Sequence, residues 1–327
     1  MHSPTLNVRV GGVRRLTPRI NEYLLISCDG GPLPRYEPGS HIELHLSSPI
    51  NGRFVRHYSL IGGDGFDIDP AYQYRIAVQR EDHKRGSAFI HENLVEGSEL
   101  SISWPKNNFV LGRNEPRVLL IAGGIGITPI YSMLRSLARR KRDFSFVYSG
   151  RTLDTLAYRD ETMSMAGDRG TIHLSGDPAV DHLDLQSLFE QQDGNTVVYI
   201  CGPKPMIDAA YRVGANLGWA IDRIRSEQFG IASSPDDQAF EICLQRSGRR
   251  VQVGRDTSIL DALTAAGLDL LSDCRRGECG LCPLTVLESD SPIDHRDRYL
   301  SQEEKDSGKT LCLCVSRIRG GTLVLDV

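Results

Sequence analysis

The sequence has no basic excess: 38 Lys and Arg stand against 42 Asp and Glu, a net charge of −4. Nucleic-acid binders normally show the opposite balance, so that class is set aside. Long apolar runs are missing too, and none approaches the roughly 18 residues of a membrane span. The N-terminus, MHSPTLNVRV, lacks an apolar signal-peptide core, so the chain is expected to be cytoplasmic. No internal repeat or long low-complexity segment is seen. What the chain does have is eight cysteines. In a reducing compartment, clustered cysteines more often bind metal or carry redox chemistry than form disulfides.

At 327 residues the chain is long for one domain. Residues 1–112 read as short, regularly spaced strands (NEYLLISC, SHIELHL, RHYSLIG, YRIAVQR, ELSISWP), the signature of an antiparallel β-barrel or sandwich. Residues 113–229 alternate apolar runs (RVLLIAGG, FSFVYSG, TVVYICG) with helical patterns, as in an α/β parallel-sheet domain. Within TPIYSMLRSLARRK, Ile130, Met133, Leu134, Leu137 and Ala138 mark a helix with one buried face. GIASSPDDQ, 230–238, reads as a linker. Residues 239–327 begin with two short strands around a Ser-Gly turn. A helix follows over 256–267, with Thr257 or Asp256 as its N-cap and Gly267 as its end. The piece closes on TLVLDV and has the size of a small β-rich domain around a cluster.

The stretch SDCRRGECGLCPL places Cys274, Cys279 and Cys282 in a C-x4-C-x2-C loop. With a distant fourth cysteine this is the plant-type [2Fe–2S] spacing. Zinc sites usually pair two C-x2-4-C knuckles, and the only downstream pair, Cys312 and Cys314, is too tightly spaced for the second one. Gly277 and Gly280 allow the loop to curl with its N–H groups toward the sulfurs. Cys312 and Cys314 would face the same side of a strand, so alternation does not choose between them.

Two glycine turns suggest a nucleotide site. LLIAGGIGITPI runs from a strand through Gly123, Gly124 and Gly126 into a helix opened by Thr128 and Pro129. Glycine lets the backbone approach a phosphate, and a helix start offers free N–H groups. The spacing is not G-x-G-x-x-G, so the standard dinucleotide fingerprint is absent. YICGPKPMIDAA repeats the arrangement with Cys201, Gly202 and Pro203. In an open parallel sheet, both turns point into the crevice beyond the carboxyl ends of the strands. At the end of FSFVYSG, Ser149 and Arg151 stand where an acidic residue would read a ribose hydroxyl and a basic one would tolerate a 2′-phosphate.

RHYSL, GGIGITP, YICGP, EQFG and CRRGECGLC…CVSR, in this order, resemble the phthalate dioxygenase reductase and vanillate O-demethylase reductase family over essentially the whole chain. The resemblance implies an FMN-binding β-barrel, then an NADH-binding α/β domain, then a plant-type ferredoxin domain with a β-grasp-like α+β fold. It implies that Arg56 anchors the FMN phosphate, that Tyr58 lies against the isoalloxazine and that Ser59 approaches its N5 side, with His57 and Leu60 completing the run. Gly86 and Ser87 in REDHKRGSAF are implied as a second phosphate loop, which here has Arg85 before Gly86 where the family often has another glycine. WPKNNF matches a family signature with Lys106 in place of Arg. Glu227 and Phe229 are implied near the flavin and the nicotinamide, and Cys201 near the nicotinamide C4 as a positioning residue. The fourth cluster ligand is implied to be Cys314, which opens CVSR. Resemblance also favours NADH over NADPH.

The three cofactors make chemical sense together. Nicotinamide gives up two electrons at once as hydride, a [2Fe–2S] cluster accepts one at a time, and a flavin can do both. The expectation is an NADH-dependent flavin and iron–sulfur reductase that feeds a separate terminal oxygenase, of Rieske type. The alternatives are a reductase for a cytochrome P450 or other acceptor, and, from another class, a zinc-stabilised interaction domain on a nucleotide sensor. Arg275, Arg276, Arg317 and Arg319 near the cysteines are either a solvated surface or a docking face for an acidic partner.

Overall fold

The short strands expected before residue 112 build one antiparallel sheet. In the computed structural model the described residues are 5–48, 52–62, 72–81, 86–176, 182–229, 236–255, 257–275 and 277–327. Arg85, Asp256, Arg276 and residues 230–235 lie outside them. The strands are β1 (Thr5–Thr17), β2 (Ile20–Ser27), β3 (Ser40–Ser48), β4 (Gly52–Ser59), β5 (Gln73–Gln79), β6 (Glu99–Ser103) and β7 (Lys106–Asn107), with helix α1 (Ser87–Asn93) after β5. Their order is β4-β3-β6-β1-β2-β5, with β7 on β3. Just past β4, Ile61 N–H donates to Arg75 O of β5 at 2.9 Å, so the two edge strands meet and the sheet curls into a barrel. Alternate residues Val8 and Val10, Tyr23 and Leu25, and Ile42 and Leu44 fill it. The sequence reading missed β1, because Gly11 and Gly12 interrupt its alternation. There the structure shifts register between Val10 and Gly12.

The second sheet is fully parallel. It comprises β8 (Arg117–Gly123), β9 (Phe144–Gly150), β10 (Gly170–Leu174), β11 (Thr196–Cys201) and β12 (Ile224–Glu227), in the order β10-β9-β8-β11-β12. Helices α2 (Ile127–Arg139), α3 (Arg159–Ala166), α4 (Leu185–Glu190) and α5 (Lys204–Asn216) connect them. The three apolar runs became β8, β9 and β11. The less hydrophobic edges β10 and β12 went unread. The chain leaves β8 for β9 on one side and returns to β11 on the other, so the strand order switches at β8 and β11, where both glycine turns lie. Helix α2 buries more than the one stripe expected: every residue from Ile127 to Leu134 is buried, Ser132 included. Barrel and parallel sheet fall in one compact unit, Met1–Gln228.

The other unit is Phe229–Val327. Its strands are β13 (Phe240–Leu244), β14 (Arg250–Val253), β15 (Pro283–Ser289), β16 (Ile293–Asp294), β17 (Thr310–Cys312), β18 (Arg317–Ile318) and β19 (Thr322–Leu325), with helices α6 (Ile259–Ala265) and α7 (Gln302–Ser307). The main sheet runs β14-β13-β19-β15-β17, and the closing TLVLDV strand lies parallel to β13 on one side and antiparallel to β15 on the other. That mixed sheet, with α6 packed in the same core, is the β-grasp arrangement. The helix cap differs from both candidates: Ser258 accepts from Asp261 N–H at 3.0 Å. Its extended backbone and short hydroxyl suit that role, which typically stabilises a helix by about 1 kcal/mol. Gly267, at φ +89°, ends the helix as expected. Asp237, from the stretch read as a linker, is buried and clasped by Arg296. Among the described residues no helix is long and apolar enough to cross a membrane.

Candidate functional site

The two glycine turns, distant in sequence, touch. A Cβ on Gly126 would stand 2.1 Å from Cys201 O, and one on Gly123 would stand 2.8 Å from Pro203 Cδ and 3.2 Å from Gly202 Cα. Only glycine permits this approach, so the ends of β8 and β11 form one continuous backbone floor. Gly124 takes φ +54°, and the chain coils from Gly124 directly into α2. The helix therefore opens before Thr128 and Pro129, both buried in its first turn. Thr128 Oγ1 donates back to Ile125 O at 3.1 Å and braces that turn. Tyr148, from the end of β9, donates to Gly124 O at 3.2 Å and Ala157 O at 3.0 Å; burial pushes its phenol pKa up and keeps it a donor. Ser149 Oγ lies 3.4 Å from His173 Nδ1 at the neighbouring strand end, and Arg151 is exposed.

Strand β12 ends beside β11, with Glu227 in register with Cys201. Glu227 is 1% exposed and Cys201 is fully buried. Ser59, the last residue of β4, donates to Glu227 Oε2 at 3.4 Å. The RHYSL strand of the barrel thus reaches the crevice of the parallel sheet.

Along β4 the side chains alternate. Arg56 lies against Gly86: a Cβ there would be 2.2 Å from Arg56 Nε. Arg56 also stacks 5.2 Å over Phe54, and Ser87 Oγ accepts from Glu81 N–H at 3.1 Å. Two segments proposed to hold one phosphate are therefore in contact. Burial raises the Tyr58 phenol pKa, so it stays neutral. His57 points the other way, 3.9 Å from Glu43 Oε1, whose closer partner is Lys106 at 2.9 Å. Leu60 is fully buried. Phe229, two residues beyond Glu227, is 37% exposed.

In the second unit, Cys274, Cys282, Cys312 and Cys314 are buried while Cys279 is exposed. Cys274 Sγ accepts backbone N–H groups of Glu278 and Cys279, both at 3.4 Å. Cys282 Sγ and Cys314 Sγ lie 3.2 Å apart. Hydrogen bonds with Cys312 and Cys314 lower the Cys282 thiol pKa. The same contacts push Cys312 and Cys314 up. The loop's curl depends on Gly277 (φ +74°) and Gly280 (φ +71°). A Cβ at Gly277 would stand 2.7 Å from Asp297 Cα, and one at Gly280 would stand 2.1 Å from the Tyr299 ring. A two-iron cluster asks for two thiolates on each iron, and the thiols of Cys274, Cys279, Cys282 and Cys314 suit it.

The arginines do not form one surface. Arg317 is 3% exposed and donates to Gln238 O at 3.1 Å, Gly254 O at 2.9 Å and Thr257 O. It holds the unit together, which removes it from any docking face. Arg275 pairs with Asp261, and Arg319 is exposed. The sequence reading passed over Ser132, Glu22, Tyr158 and Asp297, polar residues now seen to be buried. Each is an ordinary polar residue with no motif around it, so only its tertiary burial singles it out.

Comparison with known proteins agrees with this geometry. Residues 120–212 match the oxidoreductase NAD-binding domain family, and residues 242–319 match the 2Fe-2S iron-sulfur cluster binding domain family. The second match removes the zinc-sensor alternative. The chain is 39% identical to the heme-dependent oxidative N-demethylase beta subunit of Ectopseudomonas mendocina, covering 99% of this chain and all of that one. It is 36% identical to the carnitine monooxygenase reductase subunit of Escherichia coli over 98% of each. Identity to the vanillate O-demethylase oxidoreductase of a Pseudomonas species is 33%, over 98% of this chain and 100% of the relative. A solved phthalate dioxygenase reductase, described as modular for electron transfer from pyridine nucleotides to [2Fe–2S], superposes with TM-score 0.79 and 31% identity over 99% of this chain and 98% of its own. The full-length cytochrome P450 CYP116B46 of Tepidiphilus thermophilus matches 99% of this chain with 42% of its own, at TM-score 0.68 and 34% identity.

Proposed function

We propose that this chain, which belongs to the phthalate dioxygenase reductase family, passes electrons from NADH to a separate terminal oxygenase of Rieske type. It is an NADH-dependent flavin and iron–sulfur oxidoreductase. Bound FMN supplies the exchange between two-electron hydride chemistry and the one-electron chemistry of the cluster.

The residues divide the work. Arg56, packed on Gly86 and beside Ser87, holds the flavin phosphate, and Tyr58 sets the ring edge of the site; Leu60, also expected at the flavin, is instead fully buried in the barrel core and supports the strand from behind. His57 supports the opposite face of the strand through Glu43 and Lys106. Gly124, with open space beside it, admits the dinucleotide phosphates, while Gly123 and Gly126 let the two strand ends meet, with Thr128 and Pro129 fixing the turn behind them. Gly202 and Pro203 form the facing wall, and Ser149 and Arg151 lie toward the ribose. Ser59 and Glu227, hydrogen-bonded together, orient the reacting rings and exclude water, with Cys201 as a buried positioning residue. Phe229 borders the same segment. Cys274, Cys279, Cys282 and Cys314 hold the cluster. Cys312 is the buried neighbour of the set.

One observation carries the reading: the Ser59–Glu227 hydrogen bond brings the flavin strand to the ends of β11 and β12, beside both glycine turns. The test is spectroscopic. The purified protein should show flavin and 2Fe–2S absorption, and NADH should bleach the flavin before the cluster. A colourless protein would sink the reading. The chain's match to part of a cytochrome P450 supports a second acceptor class. Reducing purified candidate Rieske oxygenases and P450s with NADH and this protein separates the two, and transfer to P450 alone would overturn the Rieske assignment.

A further inference from the structure

The segment that follows the flavin strand is held by a complete set of backbone hydrogen bonds. Leu60 N–H donates to Ser40 O at 2.8 Å and Ile61 N–H to Arg75 O at 2.9 Å. Ile61 O accepts from Tyr36 Oη at 3.1 Å. These partners all belong to the barrel. The two remaining groups, Leu60 O and Gly62 N–H, meet one side chain from outside it. Ser132 Oγ donates to Leu60 O at 2.8 Å and accepts from Gly62 N–H at 3.1 Å. Ser132 lies on α2, the helix that grows out of the Gly123–Gly126 turn, and is completely buried, as is Leu60. Its hydroxyl therefore uses donor and acceptor together, joining the flavin strand to the nucleotide helix.

No apolar side chain can replace that joint, because removing it leaves a buried carbonyl and a buried N–H without partners. The position is sensitive. Ser59, which contacts Glu227, directly precedes Leu60. Gly62 takes φ +97°, so the chain turns sharply at once after the joint. A second contact, Tyr158 Oη to Glu22 Oε2 at 2.8 Å, joins barrel and α3 further off. Glu22 keeps Arg14 at 3.1 Å when that contact is lost, so it is the more dispensable of the two.

We propose that Ser132 is a positioning residue for hydride transfer: by bonding Leu60 and Gly62 it sets the distance between the flavin strand and the nucleotide turn. The inference rests on the functional reading above. A misplacement of about 1 Å in such a pair can cost on the order of 100-fold in rate.

The experiment uses the FMN-loaded full-length protein with Ser132→Ala. Hydrogen exchange of the Gly62 amide should accelerate about tenfold or more, while Ile121 in β8 stays protected. Flavin reduction at saturating NADH should slow about tenfold or more, with NADH affinity changed less than about twofold and photochemical flavin reduction unchanged. Ser132→Cys, near in size with a weak donor and acceptor, should fall between, and it serves where the alanine variant is not recovered. Unchanged Gly62 exchange or wild-type flavin reduction by NADH overturns the proposal. So does loss of protection across all of β8, which marks a merely structural residue. A wild-type protein that binds no flavin breaks the functional reading instead, and Gly62 exchange still reports on the joint.

Discussion

The cysteine loop and the nucleotide crevice are built by opposite means. In the loop, side chains carry the chemistry and sit within 274–282, apart from one distant cysteine. In the crevice, backbone carries it, and the glycines matter for what they omit. Both sites contain a glycine whose added Cβ would stand 2.1 Å from a neighbour. For Gly126 the neighbour is Cys201 O, part of a central strand; for Gly280 it is the ring of Tyr299, which is 51% exposed. A backbone atom in a parallel sheet cannot yield, whereas a half-exposed ring can swing aside. The same nominal clash should therefore have different consequences.

That contrast can be broken in several ways. The largest effect should come from Cys274→Ala, which removes the sulfur that accepts two backbone N–H groups. Iron and acid-labile sulfide should disappear, while NADH still reduces the flavin and, through it, ferricyanide. Loss of flavin reduction as well would mean that the two sites are not independent.

Gly126→Val should come next. It should lower NADH-dependent flavin reduction by about 100-fold and destabilise the first unit by about 1–3 kcal/mol, read by stopped-flow and denaturant unfolding. Arg317→Met should cost the second unit about 1.5–3 kcal/mol, because three partly buried carbonyls lose a charged donor. Exposed Arg319→Ala should stay within about 0.5 kcal/mol. Equal effects would restore the idea of a common arginine surface. Of the two glycine changes the smaller is Gly280→Ala: about 1–2 kcal/mol from forcing a side chain to positive φ, with the cluster's absorption spectrum retained. Complete loss of the cluster there would show that Tyr299 is as rigid as Cys201 and erase the contrast.

Legibility followed the same division. The C-x4-C-x2-C spacing, the two glycine turns and the alternating strands were visible because each is local. Strand β1 was not, since Gly11 and Gly12 break its period, and β10 and β12 were not, since edge strands need less apolar surface. The cap Ser258 was missed by one residue, within the range where helix starts are decided by backbone angle. Arg317 was misjudged because a charged residue in a strand reads as exposed unless its tertiary acceptors are known.

The sequence by itself made the cofactor set legible: three thiols in one loop at the [2Fe–2S] spacing, glycines at two strand ends, and a domain order that pairs hydride with single-electron transfer. These follow from residue types at short spacing, which survive any folding uncertainty. Tertiary structure alone decided which hydroxyl meets which polar group. Ser59 finds Glu227, and Ser132 finds Leu60 and Gly62, across separations that no local pattern encodes. A buried polar group must find a partner somewhere, but only the packed chain says where.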